Sequence, residues 1–178
     1  MLIEANNIRL PAHSLTHFWS NFIHLVRNAV DHGLETSEER KAAGKSAAGS
    51  IQLRAMVRSD QFIVEIEDDG RGIDWKKIAE KAAAAGQPSA TKDDLVEAIF
   101  SDGISTRDAA TEISGRGVGM SAVRASCAET GGKVKVFSEP GGTRFQFAWP
   151  ASVLAEEETT VRRPAQIGPP SGISSAPN

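Results

Sequence analysis

An α+β sandwich, with helices layered on one face of a mixed sheet, is the fold class this sequence predicts. Two observations carry it. Runs of alternating apolar and polar residues (51–58, 62–68, 133–138 and 143–149) read as strands, and they come in pairs. The intervening stretches carry helical periodicity, and strands and helices do not alternate one for one as a parallel βαβ sheet requires.

The elements follow in order. Leu2 to Leu10 reads as a short opening strand or an extended lead-in. A helix is expected from Leu15, with Ser14 as its N-cap and Gly33 as its stop. At about 100° per residue, Leu15, Phe18, Trp19, Phe22, Val26 and Ala29 gather on one side. His17, Asn21, His24, Asn28, Asp31 and Glu35 form a narrow stripe almost opposite. A solvated helix face is usually filled with Lys and Glu. Amides, imidazoles and carboxylates are instead the groups that hold metals and phosphates, although a polar outer face requires no ligand.

Thr36 to Ser50 reads as a polar loop. Ile51, Leu53, Ala55 and Val57 then alternate with Gln52, Arg54 and Arg58, with Met56 the exception on the outer face. Ser59-Asp60-Gln61 is a turn into a second strand, Phe62 to Asp68, so the pair reads as a hairpin. Trp75 to Ala85 is a helix ended by Gly86, and Thr91 with Asp94 forms a capping box that opens a helix to about Phe100. Ser101 to Gly117 is polar, glycine-containing and too long for a simple connection. Val118 to Thr130 resumes as a helix stopped by Gly131-Gly132. The last two strands, Lys133 to Ser138 and Thr143 to Trp149, are joined by residues 139–142, and Phe145, Phe147 and Trp149 share one face that is expected to be buried.

The 178 residues and 40% hydrophobic content suit one globular domain, 1–152, followed by a disordered tail or linker, 153–178. That tail opens on Glu156-Glu157-Glu158 and holds four of the eight prolines, a composition unable to offset the entropy of ordering. A net charge of −3 with scattered basic residues gives no reason to expect nucleic acid or an anionic membrane as a partner. The one cysteine, Cys127, excludes an internal disulfide and a cysteine-built metal site, and its place beside Val123 in a helix reads as a buried structural thiol. No signal peptide is visible and no apolar run reaches the length of a membrane span, so a cytoplasmic location is expected.

Two glycine motifs carry chemistry. Asp68-Asp69-Gly70-Arg71-Gly72-Ile73 ends the second strand, and by parity Asp68 lies on the core face with Phe62, Val64 and Ile66. A carboxylate at the end of a buried row needs a donor, and Gly70 and Gly72 would let backbone pass beneath a flat ligand. Asp-Gly pairs also make tight turns with no function. Gly115-Arg116-Gly117-Val118-Gly119 enters a helix, where free amides and the helix dipole make an anion cradle, or else a hinge and cap.

Three other patterns are set aside. Gly117-Val118-Gly119-Met120-Ser121-Ala122 matches a dinucleotide fingerprint but follows no strand. Gly44-Lys45-Ser46 has the end of a P-loop, but Glu39 stands where its first glycine belongs. All four histidines (His13, His17, His24, His32) lie near the start, but a zinc site lacks cysteines and an H-E-x-x-H pattern.

Together and in this order, these stretches resemble the GHKL ATPase superfamily, which includes gyrases, histidine kinases and MutL and whose fold is the Bergerat two-layer α/β sandwich. Residues 24–32 match its N box, Asp68-x-Gly70-x-Gly72 its first glycine box and Gly115-x-Gly117-x-Gly119 its second. Residues 99–106, Ile-Phe-Ser-Asp-Gly-Ile-Ser-Thr, match a short phenylalanine box, and Gly142-Thr143 a final, shortened glycine-threonine box. The likeness runs from about Leu2 to Ala151. The stretches from His24 to Glu35 and from Ser114 to Met120 most resemble the chemotaxis-type (CheA) histidine kinases. Gyrase-like members carry a water-activating Glu where this chain has His24, which favours phosphoryl transfer to a protein histidine over hydrolysis.

The resemblance implies a site for ATP and Mg²⁺. Asn28 would ligate Mg²⁺, Asp68 would accept from the adenine amino group, and Gly115, Gly117 and Gly119 would contact phosphates. His24 would lie near the γ-phosphate, with Arg27 and His32 as further candidates for orienting it, and Thr143 would support the Asp68 end. Gly70, Gly72, Ile73, Phe100, Ser105, Arg116, Val118 and Met120 would complete the nucleotide pocket. The implied partners are a phosphoacceptor histidine domain, in the same full-length protein or separate, and a downstream response regulator. The chain reads as the monomeric, excised catalytic domain of a larger, dimeric kinase, because no acceptor, dimerisation or SH3-like coupling module is visible. The alternatives are a nucleotide-sensing module without catalysis and an anti-sigma-type serine kinase, the latter disfavoured because that branch carries Glu where His24 stands.

Overall fold

Five strands form one mixed sheet in the order β1-β2-β3-β5-β4. In this computed structural model, which describes residues 2–5, 8, 13–101, 104 and 119–155, β1 (Leu2–Ala5) runs parallel to β2 (Ile51–Arg58). The remaining pairs are antiparallel: β2 with β3 (Gln61–Asp68), β3 with β5 (Gly142–Pro150), and β5 with β4 (Lys133–Glu139). The expected segments 6–7, 9–10, most of 102–118 and the tail 156–178 lie outside the described residues. The β2–β3 turn places Ser59 and Asp60 at φ 51° and 58°, the left-handed pair that matches the twist of a two-residue hairpin.

Alternation along the strands builds the core on one face. Phe62, Val64 and Ile66 of β3 and Phe147 and Trp149 of β5 are buried there, under α1 (Thr16–Asn28) and α5 (Met120–Glu129). From α1 come Phe18, Phe22 and Leu25; from α5 come Val123 and Cys127. The Phe18 ring stands edge-on to Trp149 at 4.7 Å and to Phe147 at 5.0 Å. Phe145, expected to be buried with its neighbours, remains partly exposed. Helices α3 (Trp75–Ala84) and α4 (Lys92–Ile99) enclose a second cluster of Ile78, Ala82, Ala98, Ile99 and Ile104. The capping box at Thr91 and Asp94 is present as expected. The opposite face of the sheet is polar: Arg54 donates to Glu67 at 2.6 Å and Gln146 to Glu65 at 2.7 Å.

Two expectations are corrected and one is refined. Ser14 is not the N-cap of α1: its hydroxyl donates to the Val153 carbonyl at 3.4 Å, and Leu15 occupies the cap at φ 59°. Leu15 is almost wholly buried, and that packing holds its backbone in a region costly for a non-glycine residue. The helical run does stop at Gly33, as expected, but not as a regular α-helix. It widens into a π-turn, Ala29–Gly33, closed by the Leu34 amide on the Ala29 carbonyl at 3.1 Å. Thr36 to Ser50 is not all loop, because it contains α2 (Ser37–Ala42). A capping box starts α2: the Thr36 amide donates to Glu39 at 2.8 Å and the Glu39 amide to Thr36 Oγ1 at 3.3 Å. With Arg40 as its buried residue, α2 has no apolar stripe to betray it.

Candidate functional site

Asp68 ends β3 on the core face, with 8% of its surface exposed. Its Oδ1 accepts from the Gly70 amide at 3.0 Å. Burial raises its pKa from the ordinary value, the backbone amides of Gly70 and Thr143 pull the other way, and the charges of Asp69 and Glu35 add to the rise. The carboxylate is therefore both a costly group to bury and a ready hydrogen-bond acceptor. Thr143 stands directly opposite in the β3–β5 ladder. Its hydroxyl shares a 3.1 Å hydrogen bond with Ser138, and Ser138 Oγ accepts from the Ile73 amide at 2.8 Å.

The glycine loop is pressed against the end of the π-turn. The Arg71 amide donates to the Gly33 carbonyl at 3.0 Å, and a Cβ on Gly70 would fall on that same carbonyl. Gly72 takes φ +78° against the Glu139 carbonyl, a conformation and an approach that only glycine accommodates. Ile73 leaves this loop to pack on the second cluster beside Met120.

Helix α1 runs towards the loop with His24 and Asn28 one turn apart and half-buried. Arg27, Asp31 and His32 are exposed. Asn21 ties α1 to α5 by donating to the Ala122 carbonyl at 3.4 Å, and Gly119 serves as the N-cap of α5. Phe100 is buried, its ring edge-on to Phe145 at 6.4 Å and 5.4 Å from the Arg124 guanidinium. Asp68, Gly70, Gly72, Ile73 and Thr143 are thus drawn together at one end of the sheet, with Gly33 against them. Ser105, Gly115, Arg116, Gly117 and Val118 lie outside the described residues.

One member of the polar helix stripe leaves it. The π-turn ends at an extended Leu34, and Glu35 turns to Lys45 at 2.7 Å and Arg40 at 3.1 Å. Ser138, Arg40 and Lys45 join the site from outside the motifs that the sequence displays. Ser138 was legible from parity as the polar end of the inward row Val134, Val136, Ser138. The other two reach the loop by long-range contacts that no spacing announces.

For Mg²⁺, the relevant test is the donor set. Among the described residues no group of three or more His, Cys, Asp or Glu side chains converges as a metal cage. A single neutral amide oxygen from Asn28 fits an ion that takes most of its octahedron from phosphates and water. A groove of about 850 Å³ reaches the same end of the sheet, lined by Asp68, Asp69 and Ser138 as well as by Gln52, Glu67 and Arg144, whereas none of His24, Asn28, Ile73 or Met120 lines it.

Sheet order, the buried acidic end of β3 and the glycine turn beside it define a class. The family profile described as histidine kinase-, DNA gyrase B-, and HSP90-like ATPase matches residues 19–153, and the chain belongs to that family. Within it, the chain is similar to the chemotaxis protein CheA of Rhizobium meliloti, 37% identical over 158 residues (86% of this chain, 21% of the relative). The chemotaxis protein CheA of Halobacterium salinarum is 38% identical over 159 residues (85% and 24%). The gliding motility regulatory protein of Myxococcus xanthus is 37% identical over 169 residues (91% and 22%). The chain thus spans less than a quarter of the length of these relatives.

Solved structures share the fold. The histidine kinase domain of the Erythrobacter litoralis blue-light activated histidine kinase aligns with a TM-score of 0.50 at 20% identity, over 86% of this chain and 57% of that one. The catalytic domain of histidine kinase ThkA aligns at 0.50 and 21% identity, over 84% and 75%.

Proposed function

We propose that this chain is the ATP- and Mg²⁺-binding catalytic domain of a CheA-like histidine kinase, passing the γ-phosphate of ATP to a histidine on a separate acceptor domain. The observation that carries the reading is Asp68: a buried carboxylate held as an acceptor at the end of β3, beside the π-turn that continues the helix bearing His24 and Asn28. An adenine amino group would donate to Asp68, whereas the carbonyl at the same place on guanine would meet the carboxylate with like polarity. Thr143 and Ser138 would keep that end of the pocket in shape.

Asn28 would hold Mg²⁺ through its side-chain oxygen, and the ion would offset triphosphate charge. His24 would face the γ-phosphate, with Arg27 and His32 orienting it and Gly115, Gly117 and Gly119 offering amides to the phosphates. Ile73, Met120 and Gly72 would wall the base. In the transfer, an acceptor imidazole nitrogen attacks the γ-phosphorus, the bond to the bridging oxygen breaks, and ADP leaves with the electron pair. Such chemistry asks the protein for positioning and charge neutralisation rather than for a covalent partner. The similarity to CheA proteins supports an acceptor histidine domain as partner. A response regulator downstream, a dimeric full-length kinase, a catalytic domain over 1–152 and a tail or linker over 153–178 are further parts of this proposal. No helix among the described residues is long and apolar enough to cross a membrane, and we place the domain in the cytoplasm.

The test is transfer of labelled γ-phosphate to CheA-type acceptor domains, run beside calorimetric ATP binding. Wild-type chain is expected to bind and to transfer, and Asn28→Ala to lose Mg²⁺-dependent transfer while remaining folded. Binding without transfer to any acceptor would overturn the catalytic reading in favour of nucleotide sensing.

A further inference from the structure

The peptide bond between Asp69 and Gly70 is engaged at both ends. Its N–H donates to Asp68 Oδ1 at 3.0 Å. Its carbonyl oxygen accepts from two cations, Lys45 Nζ at 3.0 Å and Arg40 Nη1 at 3.2 Å. Lys45 also holds the next carbonyl, Gly70, at 2.7 Å. Arg40 is fixed in turn, donating to the Ser46 carbonyl at 2.7 Å, to Asp69 Oδ2 at 2.9 Å and to Glu35 at 3.1 Å, with only 1% of its side chain exposed. Cations on a carbonyl oxygen polarise the amide and strengthen the N–H at its far end as a donor. They also fix the plane of a peptide whose glycine would otherwise leave it free to rotate.

We propose that Arg40 and Lys45 are positioning residues for nucleotide recognition: through the Asp69–Gly70 peptide they aim and anchor the Asp68 carboxylate, and so set the affinity for adenine nucleotides. The proposal rests on the reading of Asp68 as the adenine acceptor. It gives the 34–50 segment a purpose, since α2 and the Gly44-Lys45-Ser46 stretch become a buttress behind the base pocket rather than a cradle for phosphate. The groups around Asp68 are consistent with it. Asp69 on its own loop and Glu35 after the π-turn both work against its ionisation, and each is bound by Arg40. The Arg71 side chain points away, to the Leu34 carbonyl and Glu39, while β5 and β4 contribute the uncharged hydroxyls of Thr143 and Ser138.

The experiment measures ATP and ADP affinity of the full chain and of Lys45→Met and Lys45→Arg across pH, with melting temperatures alongside. Lys45→Met is expected to weaken both nucleotides by the same factor, roughly tenfold, the order of one lost charge-assisted hydrogen bond. Lys45→Arg is expected to recover most of that loss. On acidification, binding by Lys45→Met is expected to fail at a higher pH than wild type, a shift that loosened packing alone would not produce. Unchanged affinity in Lys45→Met, or a loss confined to ATP, overturns the proposal, the latter because it would put the ammonium on phosphate. If Lys45→Met does not fold, Arg40→Lys is read in the same assay, since it keeps a charge but withdraws the fixed guanidinium donor. A wild-type chain that binds no nucleotide would overturn the functional reading and this proposal with it, whereas competent wild type beside unaffected variants overturns this proposal alone.

Discussion

Asp68 and Thr143 face each other on the last buried rung of the β3–β5 ladder, closing a row that is otherwise Phe62, Val64 and Ile66 opposite Trp149, Phe147 and Phe145. The same alternation that builds the core therefore delivers one carboxylate into it, at the place where the sheet ends and the glycine turn begins. A group buried there at a cost in stability is a group whose replacement can be read in two assays at once.

Asp68→Asn is expected to abolish adenine-nucleotide binding and to raise the stability of the free protein at neutral pH. Burial lifts the folded pKa above the ordinary 3.8, so the native state holds this proton more tightly than the unfolded chain does. The stabilising contribution of the protonated form is complete at acid pH and is lost as pH rises through the folded pKa. The gain from Asn should accordingly grow from pH 4 to pH 7 in urea titrations. A constant offset across that window would contradict the assignment.

Gly70→Ala is expected to cost about 1–3 kcal/mol, the usual range for forcing atoms into a packed site. The added methyl meets the Gly33 carbonyl, which is backbone and cannot swing aside. Urea denaturation gives the number, and loss of nucleotide affinity should accompany it because the same peptide donates to Asp68.

Phe18→Ala should be the most damaging of these changes to stability, at about 3–5 kcal/mol. Its ring is fully buried and in edge contact with Phe147 and Trp149, so helix α1 would lose its main hold on the sheet. Thermal unfolding followed by circular dichroism measures this.

Thr91→Ala removes the hydroxyl that accepts from the Asp94 amide at 3.1 Å. A loss of about 1 kcal/mol is expected from such a cap. Faster amide exchange should be confined to the first turn of α4.

The Cys127 thiol is pushed up to about 12 by burial, so almost no thiolate exists at neutral pH. A disulfide reagent at pH 8 should leave it untouched in the native protein and modify it once denaturant is added. Rapid labelling of folded protein would show that the α5 packing opens.

Much of the sandwich was legible, and for identifiable reasons. Where one face of an element is buried, the sequence must carry its period: β2 and β3 were placed to within a residue, and the burial of Asp68 followed from counting by two along β3. Helix α4 was legible because Thr91 and Asp94 satisfy its first amides locally. What escaped was held by contacts without a period. Helix α2 spans six residues, and its buried residue, Arg40, belongs to an ionic hub assembled from positions 35, 45 and 69. Ser14 looks like the N-cap of α1 from local sequence, but Leu15 takes that place because the core holds it left-handed, a tertiary effect. Of the candidate site, the Asp68 end is legible from parity and glycine spacing, whereas Ser138 and Lys45 act through partners distant in sequence.

The π-turn at Ala29–Gly33 makes the chain one residue too long for the helix it continues. It acts as a phase shifter, leaving the buried face of α1 undisturbed while delivering the Gly33 carbonyl to the Arg71 amide. Deleting any one residue between 29 and 33 would leave a more regular helix and a sequence that reads as helical as before. It would also carry that carbonyl off its donor and slide the glycine turn out from under Asp68. The least regular stretch of the helix is thus the one least able to change its length.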